Sequence, residues 1–217
     1  MQALEVSLRV AGIAGLLVLG PGLALGLLLA RRQFFGKSLV ETLVALPLVL
    51  PPTAVGYFVL SVFSRRGPLG SERLGFDPGV LFTWKGAVLC ATLMSLPLVA
   101  RTARVAFEGV PARLERMGQS LGLSRWRVFF SITLPLARRG LLAACVLGFS
   151  RALGEFGATV VVAGSIPGET QTLALAIFDE IQVGRDERAL ALLAISTVLA
   201  FAGIFLVERL LRDGARR

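Results

Sequence analysis

The fold of this chain is decided by residues 110–135: Val110-Pro111-Ala112-Arg113-Leu114-Glu115-Arg116-Met117-Gly118-Gln119-Ser120-Leu121-Gly122-Leu123-Ser124-Arg125-Trp126-Arg127-Val128-Phe129-Phe130-Ser131-Ile132-Thr133-Leu134-Pro135. This is a polar island between long apolar runs. Its pattern predicts two short helices that break at Gly122. Pro111 suits a first helical turn, where the missing N–H leaves nothing unpaired. Gly122 suits a C-terminal cap, and Ser124 an N-cap for the next helix. The second helix carries Trp126, Phe129 and Phe130 on one side, among Arg125 and Arg127. An aromatic, cationic helical hairpin held at a membrane surface is a docking element. The plainer alternative is a solvated loop that joins two spans.

Outward from the island, the chain reads as an all-α integral membrane protein. It has 217 residues, 55% of them hydrophobic, and a mean hydropathy of +0.76, too apolar for a soluble domain of this size. Crossing about 30 Å of hydrocarbon takes about 20 helical residues. Five runs qualify, at about 8–30, 40–63, 84–107, 139–164 and 188–209, within one transmembrane domain over 1–217. They are continuous rather than alternating, which speaks for helices and against strands. The island, taken as 108–137, lies between the third and fourth. The first run is long for a signal peptide, carries Pro21 and ends in Arg31-Arg32, so it reads as a retained span.

Charge sets the orientation. Of the 23 Lys and Arg residues, fifteen fall on the side of the island, among them Arg216 and Arg217, and seven on the other; Arg151 lies inside a span. By the positive-inside rule the richer side is cytoplasmic, which puts the N-terminus outside and the C-terminus inside. The net charge of +9 is then a topology signal and needs no nucleic-acid partner.

Several chemistries are excluded. The chain has no histidine, the commonest general base and metal ligand. Cys90 and Cys145 fall within spans and read as small core residues, so no metal site and no catalytic residue is expected. Gly36-Lys37-Ser38 has the ending of a phosphate-binding loop, but Arg31 stands where its first glycine is required. Gly148-Phe149-Ser150-Arg151-Ala152 lacks the last glycine of a nucleophile elbow. Any ATP used must be bound by a partner.

Within the spans, Pro47, Pro51 and Pro52 must break or kink the second run, freeing backbone carbonyls that need protein or water. Such a break lines a pathway or is a structural kink. Arg151 and Glu155 sit four apart, hence on one helix face. They neutralise each other, line the route of a charged solute, or both; an ionised side chain at this depth costs about 2.5–3.5 kcal/mol. Gly22-x-x-x-Gly26 and Gly12-x-x-Gly15 permit close helix contact in the first span. Residues 170–188 lie outside, with Leu173–Ile181 a short helix at the outer mouth or an ordinary loop.

These residues resemble a known family. Gly122, Ile132, Leu134 and Pro135 stand at the spacing G-x9-I-x-L-P of the cytoplasmic signature loop of importer-type ABC permeases. The surrounding 121–130 resembles the version found in molybdate permeases. So do Leu46-Pro47-Leu48-Val49-Leu50-Pro51-Pro52, Arg151-Ala152-Leu153-Gly154-Glu155-Phe156-Gly157-Ala158 and Gly164-Ser165-Ile166-Pro167-Gly168-Glu169-Thr170. One departure stands out: the Glu-Ala-Ala that opens the loop signature is here Arg116-Met117-Gly118, with Glu115 one residue early. Which carboxylate makes the usual ATPase contact is therefore open.

The resemblance implies a subunit of an ATP-driven importer of molybdate or tungstate in the bacterial inner membrane. Its partners would be a second copy of itself, a cytoplasmic ATP-binding subunit dimer, a periplasmic oxyanion-binding protein and the lipid bilayer. The chain itself would need no cofactor. Arg113, Glu115, Arg116, Gly122, Arg125, Trp126, Phe129 and Pro135 would form the ATPase-coupling loop, and Pro51, Pro52, Arg151 and Glu155 would lie near the pathway. Sulfate or another tetrahedral oxyanion is the alternative cargo. An intramembrane enzyme built on Arg151 and Glu155 lacks a paired nucleophile and base. A stand-alone channel leaves the hairpin without a purpose.

Overall fold

The computed structural model describes residues 2–215; Arg216 and Arg217, counted above on the richer side, lie outside the described residues. Every regular element among the described residues is helical. In chain order these are α1 (Gln2–Arg31), α2 (Lys37–Val49), α3 (Pro52–Phe63), α4 (Ser71–Leu74), α5 (Trp84–Glu108), α6 (Ala112–Ser120) and α7 (Arg125–Val128). A π-helical turn (Phe129–Thr133) follows, then α8 (Leu134–Leu153), α9 (Gly157–Val162), α10 (Leu173–Gln182) and α11 (Asp186–Ala215). α1, α5, the continuous helix Arg125–Leu153 and α11 are each long and apolar enough to cross a bilayer; α2 and α3 qualify together as one pair bent by 109°.

Contacts sort the helix ends into two ends of one bundle. At the first, Arg9 stacks on Trp84 at 4.5 Å and Leu173 N–H donates to Ser7 Oγ. At the second, Arg31 reaches Glu115 and Arg104 reaches Glu41. α1, α2–α3, α5 and Arg125–Leu153 each run from one end toward the other, and α11 starts beside α10 at the first.

Close packing depends on small residues. A Cβ on Gly22 would lie 2.6 Å from Val99 Cγ1, and one on Gly148 2.5 Å from Val99 Cγ2, so Val99 sits in slots on α1 and α8 at once. Gly26 meets Ala103 and the Arg104 backbone as closely. The Gly22–Gly26 stripe thus does what its spacing predicts. Gly12 faces open space and Gly15 makes only ordinary contact with Phe149, so the other pair does not. Around Val99 the core continues through Val18, Ala103, Phe107, Val110, Leu141 and Ala144.

Two expected spans are interrupted. The 40–63 run breaks at Leu50–Pro51, both extended (ψ 144° and 134°) because each precedes a proline. The 139–164 run is not one helix: α8 stops at Leu153, Gly154 and Glu155 turn the chain, and α9 starts at Gly157. The reason is the Glu155 carboxylate. Its Oε1 accepts the Ala158 N–H at 2.9 Å, a side-chain capping bond that competes with helix continuation.

Candidate functional site

The hairpin begins as its sequence predicts. α6 closes on Gly122 at φ 84°, with Leu123 N–H donating to Gly118 O and Gly122 N–H to Gln119 O. This double closure is the Schellman arrangement, which needs a left-handed residue at the position Gly122 holds. Ser124 Oγ accepts the Arg127 N–H and caps the next helix. The second arm, however, is not a short helix. It runs from Arg125 to Leu153 without a break, so the hairpin's second half is the stem of the fourth span. Pro135 does not end it either. Its ring cannot donate and crowds the carbonyl four residues back, and the π turn Phe129–Thr133 opens the helix there, with Leu134 N–H bonded to Phe129 O.

The side chains separate into two sets. Trp126 (75% exposed) and Leu121 (82%) project outward with Met117 and Phe130, and Trp126 and Phe130 stack at 6.5 Å. Arg113, Arg116, Arg125 and Arg127 are exposed around them. Phe129 turns inward instead, packing on Phe107 at 6.4 Å beside the α5–α8 core. The step of about 100° between neighbouring helical residues turns Phe129 toward Phe107 while it still meets Phe130 edge-on at 5.1 Å, so the three aromatics cover more than the single side expected.

Glu115 is also turned inward. Its Oε1 accepts from Arg31 at 2.8 Å and from Thr133 Oγ1 at 2.7 Å, while Arg31 also donates to Val110 O. One carboxylate therefore ties the end of α1 to both arms of the hairpin. Gly118 completes the join: a Cβ there would meet Ile132 Cδ1 at 2.8 Å. The local sequence marks none of the three as part of this join: Arg31 reads as the charged end of the first span, Gly118 as part of the altered loop signature, and Thr133 carries no signal. Nearby, Arg104 bridges Glu41 at 2.8 Å and Glu108 at 2.7 Å, binding α2 to α5; Glu41, a carboxylate within an apolar run, carried that signal unread.

The second group lies against Cys90 of α5. There the two helix breaks meet. A Cβ on Gly157 would lie 2.7 Å from Pro52 Cβ, and one on Gly56 2.8 Å from Ala158 O, while Cys90 Sγ lies 3.6 Å from that same oxygen. Arg151 pairs with Glu155 at 2.8 Å; the Arg151 side chain keeps 27% exposure, the Glu155 side chain 2%. Of the two readings left open for this pair, mutual neutralisation is present in the geometry. The two do not share a helix face, because α8 ends between them. Pro51 and Pro52 stay exposed on the single chain. The segment expected outside contains the helix α10, capped by Thr172 and held to the 164–171 loop by Asp179, which accepts from Ser165 and Gln171. Among the described residues, no cluster of Cys, Asp and Glu is placed to hold a metal ion.

Comparison with known proteins bears on this architecture directly. The chain is 45% identical over 219 residues to the molybdenum transport system permease protein ModB of Escherichia coli (strain K12), spanning 100% of this chain and 95% of that one. It is 43% identical over 212 residues to the protein of the same name from Haemophilus influenzae, spanning 96% and 92%. Its fold is similar to a chain in the crystal structure of a bacterial ABC transporter involved in the import of the acidic polysaccharide alginate. The TM-score there is 0.78 at 18% identity, covering 98% of this chain and 78% of that one. Residues 22–213 match the binding-protein-dependent transport system inner membrane component family. With its bundle of apolar helices, the chain belongs to that family, as a multi-pass permease subunit of the cytoplasmic membrane and not an enzyme.

Proposed function

We propose that this chain is the transmembrane subunit of an importer that carries molybdate, or tungstate, across the cytoplasmic membrane. Its energy comes from ATP bound by a separate ATPase subunit. The observation that carries this reading is the full-length 45% identity to a molybdenum permease, on a fold that keeps an exposed aromatic and cationic hairpin at one end of the bundle. The excess of positive charge makes that end cytoplasmic, with residue 2 outside and the end of α11 inside. Two copies of the chain form the pathway, two ATPase subunits dock on the hairpins, and a periplasmic oxyanion-binding protein docks outside near α10.

The docking contact consists of Arg113, Arg116, Arg125, Trp126, Leu121 and Phe130. Glu115, Phe129, Gly122 and Pro135 shape the hairpin from within. Because 125–153 is one helix, movement of the hairpin carries the fourth span with it. The Arg31–Glu115 tie carries α1 as well. The junction of Pro51 and Pro52 with the 154–157 turn lines the pathway, and Arg151, anchored by buried Glu155, presents the positive charge there.

The test is ATP hydrolysis and uptake in proteoliposomes holding this chain, its cognate ATPase and binding protein, with molybdate, tungstate or sulfate added in turn. Stimulation by molybdate and tungstate, but not sulfate, is expected. Stimulation by sulfate would move the cargo assignment to another tetrahedral oxyanion. Failure of the chain to associate with any ATPase would remove the transporter reading. Intact uptake by Arg151→Ala plus Glu155→Ala would remove their place in the pathway.

A further inference from the structure

The base of the hairpin holds a cleft of about 220 Å³, set behind the exposed docking face. Leu27, Arg31, Glu115, Gln119, Arg125 and Phe129 are among its lining residues. Two observations fix its charge. First, Glu115 is the only carboxylate between residues 112 and 133, and its Oε1 is already taken by Arg31 and Thr133. Second, Arg113, Arg116, Arg125 and Arg127 make no ion pair among the described residues, and Arg31 keeps a buried Nε with no hydrogen-bond partner. The cleft is therefore cationic after its own carboxylate is counted, and it retains guanidinium donors with no partner among the described residues. A basic guest would meet uncompensated positive charge, and an apolar one would leave the donors desolvated. A carboxylate accepts from guanidinium groups in short, charge-assisted hydrogen bonds and neutralises them.

We propose that this cleft receives a carboxylate side chain, Asp or Glu, of the ATPase subunit, with Arg125 as its principal partner. The inference rests on the reading of the hairpin as the ATPase contact and adds its polarity. The cations come from the permease, the carboxylate from the ATPase, and the exposed Trp126–Phe130 ledge seats beside them.

The experiment uses the detergent-solubilised full chain with its purified cognate ATPase subunit. Arg125→Lys keeps the charge on an exposed surface position and introduces a primary amine. A zero-length carbodiimide then joins that amine only to a carboxylate in direct contact. Coupling of the introduced amine to an Asp or Glu of the ATPase, mapped by mass spectrometry, is expected. In parallel, Arg125→Glu places like charges together and is expected to weaken association by about tenfold or more. Arg138→Glu, on the same helix but outside the cleft, is expected to leave it within about twofold. The proposal is overturned if the Arg125→Lys chain still binds the ATPase but its new amine couples to no ATPase carboxylate. It is equally overturned if Arg125→Glu binds as tightly as wild type, or if Arg138→Glu weakens binding as much. A wild-type chain that binds no ATPase at all fails earlier, at the functional reading itself.

Discussion

The inward tie made by Glu115 excludes a direct contact of its carboxylate with the ATPase, and one pair of substitutions tests this. If that carboxylate is the internal tie between α1 and the hairpin, Glu115→Gln and Arg31→Gln each remove one charge of the 2.8 Å ion pair, and the double variant loses little more than either alone. The pair is neither exposed nor deep, with side chains 23% and 17% accessible. Exposed pairs contribute about 0–1 kcal/mol, and removing one partner of a fully buried pair costs about 3–5 kcal/mol. The intermediate burial and the shared bond to Thr133 place the coupling energy at about 1–2 kcal/mol. For a chain of this length that is a drop of about 3–6 °C in the melting temperature of either single variant. The assay is thermal unfolding of the four-member cycle in detergent, with ATPase association measured on the same samples. The charge-swapped chain, Arg31→Glu with Glu115→Arg, should recover part of the loss. A coupling below about 0.3 kcal/mol would refute the tie. So would a Glu115→Gln variant that melts like wild type yet no longer binds the ATPase, since that result puts the carboxylate on the partner's surface.

Other substitutions probe the remaining joints. Arg151→Ala leaves a buried, unpaired carboxylate and should destabilise the chain by about 3 kcal/mol, whereas Glu155→Gln keeps an acceptor for the Ala158 N–H and should be milder; thermal unfolding ranks the two. Gly148→Ala drives a methyl into Val99 and should lower stability by about 1–3 kcal/mol, with Val99→Ala restoring much of it in the double variant. Gly122→Ala forces a side chain into a φ of 84° and should cost about 1–2 kcal/mol, read as lower resistance of the hairpin to limited proteolysis. Gly118→Leu should splay the two arms and abolish ATPase association while helical content, followed by circular dichroism, stays at the wild-type level.

What was legible in the sequence, and what was not, divides along one physical line. Signals that are local in the chain were readable. The apolar runs mark the spans, the consecutive prolines force the Leu50–Pro51 bend, and Gly122 with Ser124 writes the stop and restart of the hairpin, because each acts through its own backbone dihedrals or nearest hydrogen bonds. Signals that depend on what folds against a residue were not. Nothing local says that Phe129 packs on Phe107 while Trp126 stays out. Nor does it say that Arg31, 84 positions before Glu115, supplies the partner that draws that carboxylate away from the surface. The 139–164 run is an instructive intermediate. Its composition permits one helix, and the i, i+4 spacing of Arg151 and Glu155 even favours it, yet a buried carboxylate gains more by capping the Ala158 N–H and pairing with Arg151 than by continuing the turn. That choice brings the 154–157 turn against Pro52. Two unrelated breaks, one encoded by proline and one by a buried charge, therefore fall at the same height in the bundle. Backbone freed at membrane depth is tolerated only where protein or water meets it. Their coincidence is the strongest geometric reason to look for the solute's route there rather than along the unbroken faces of α1, α5 or α11.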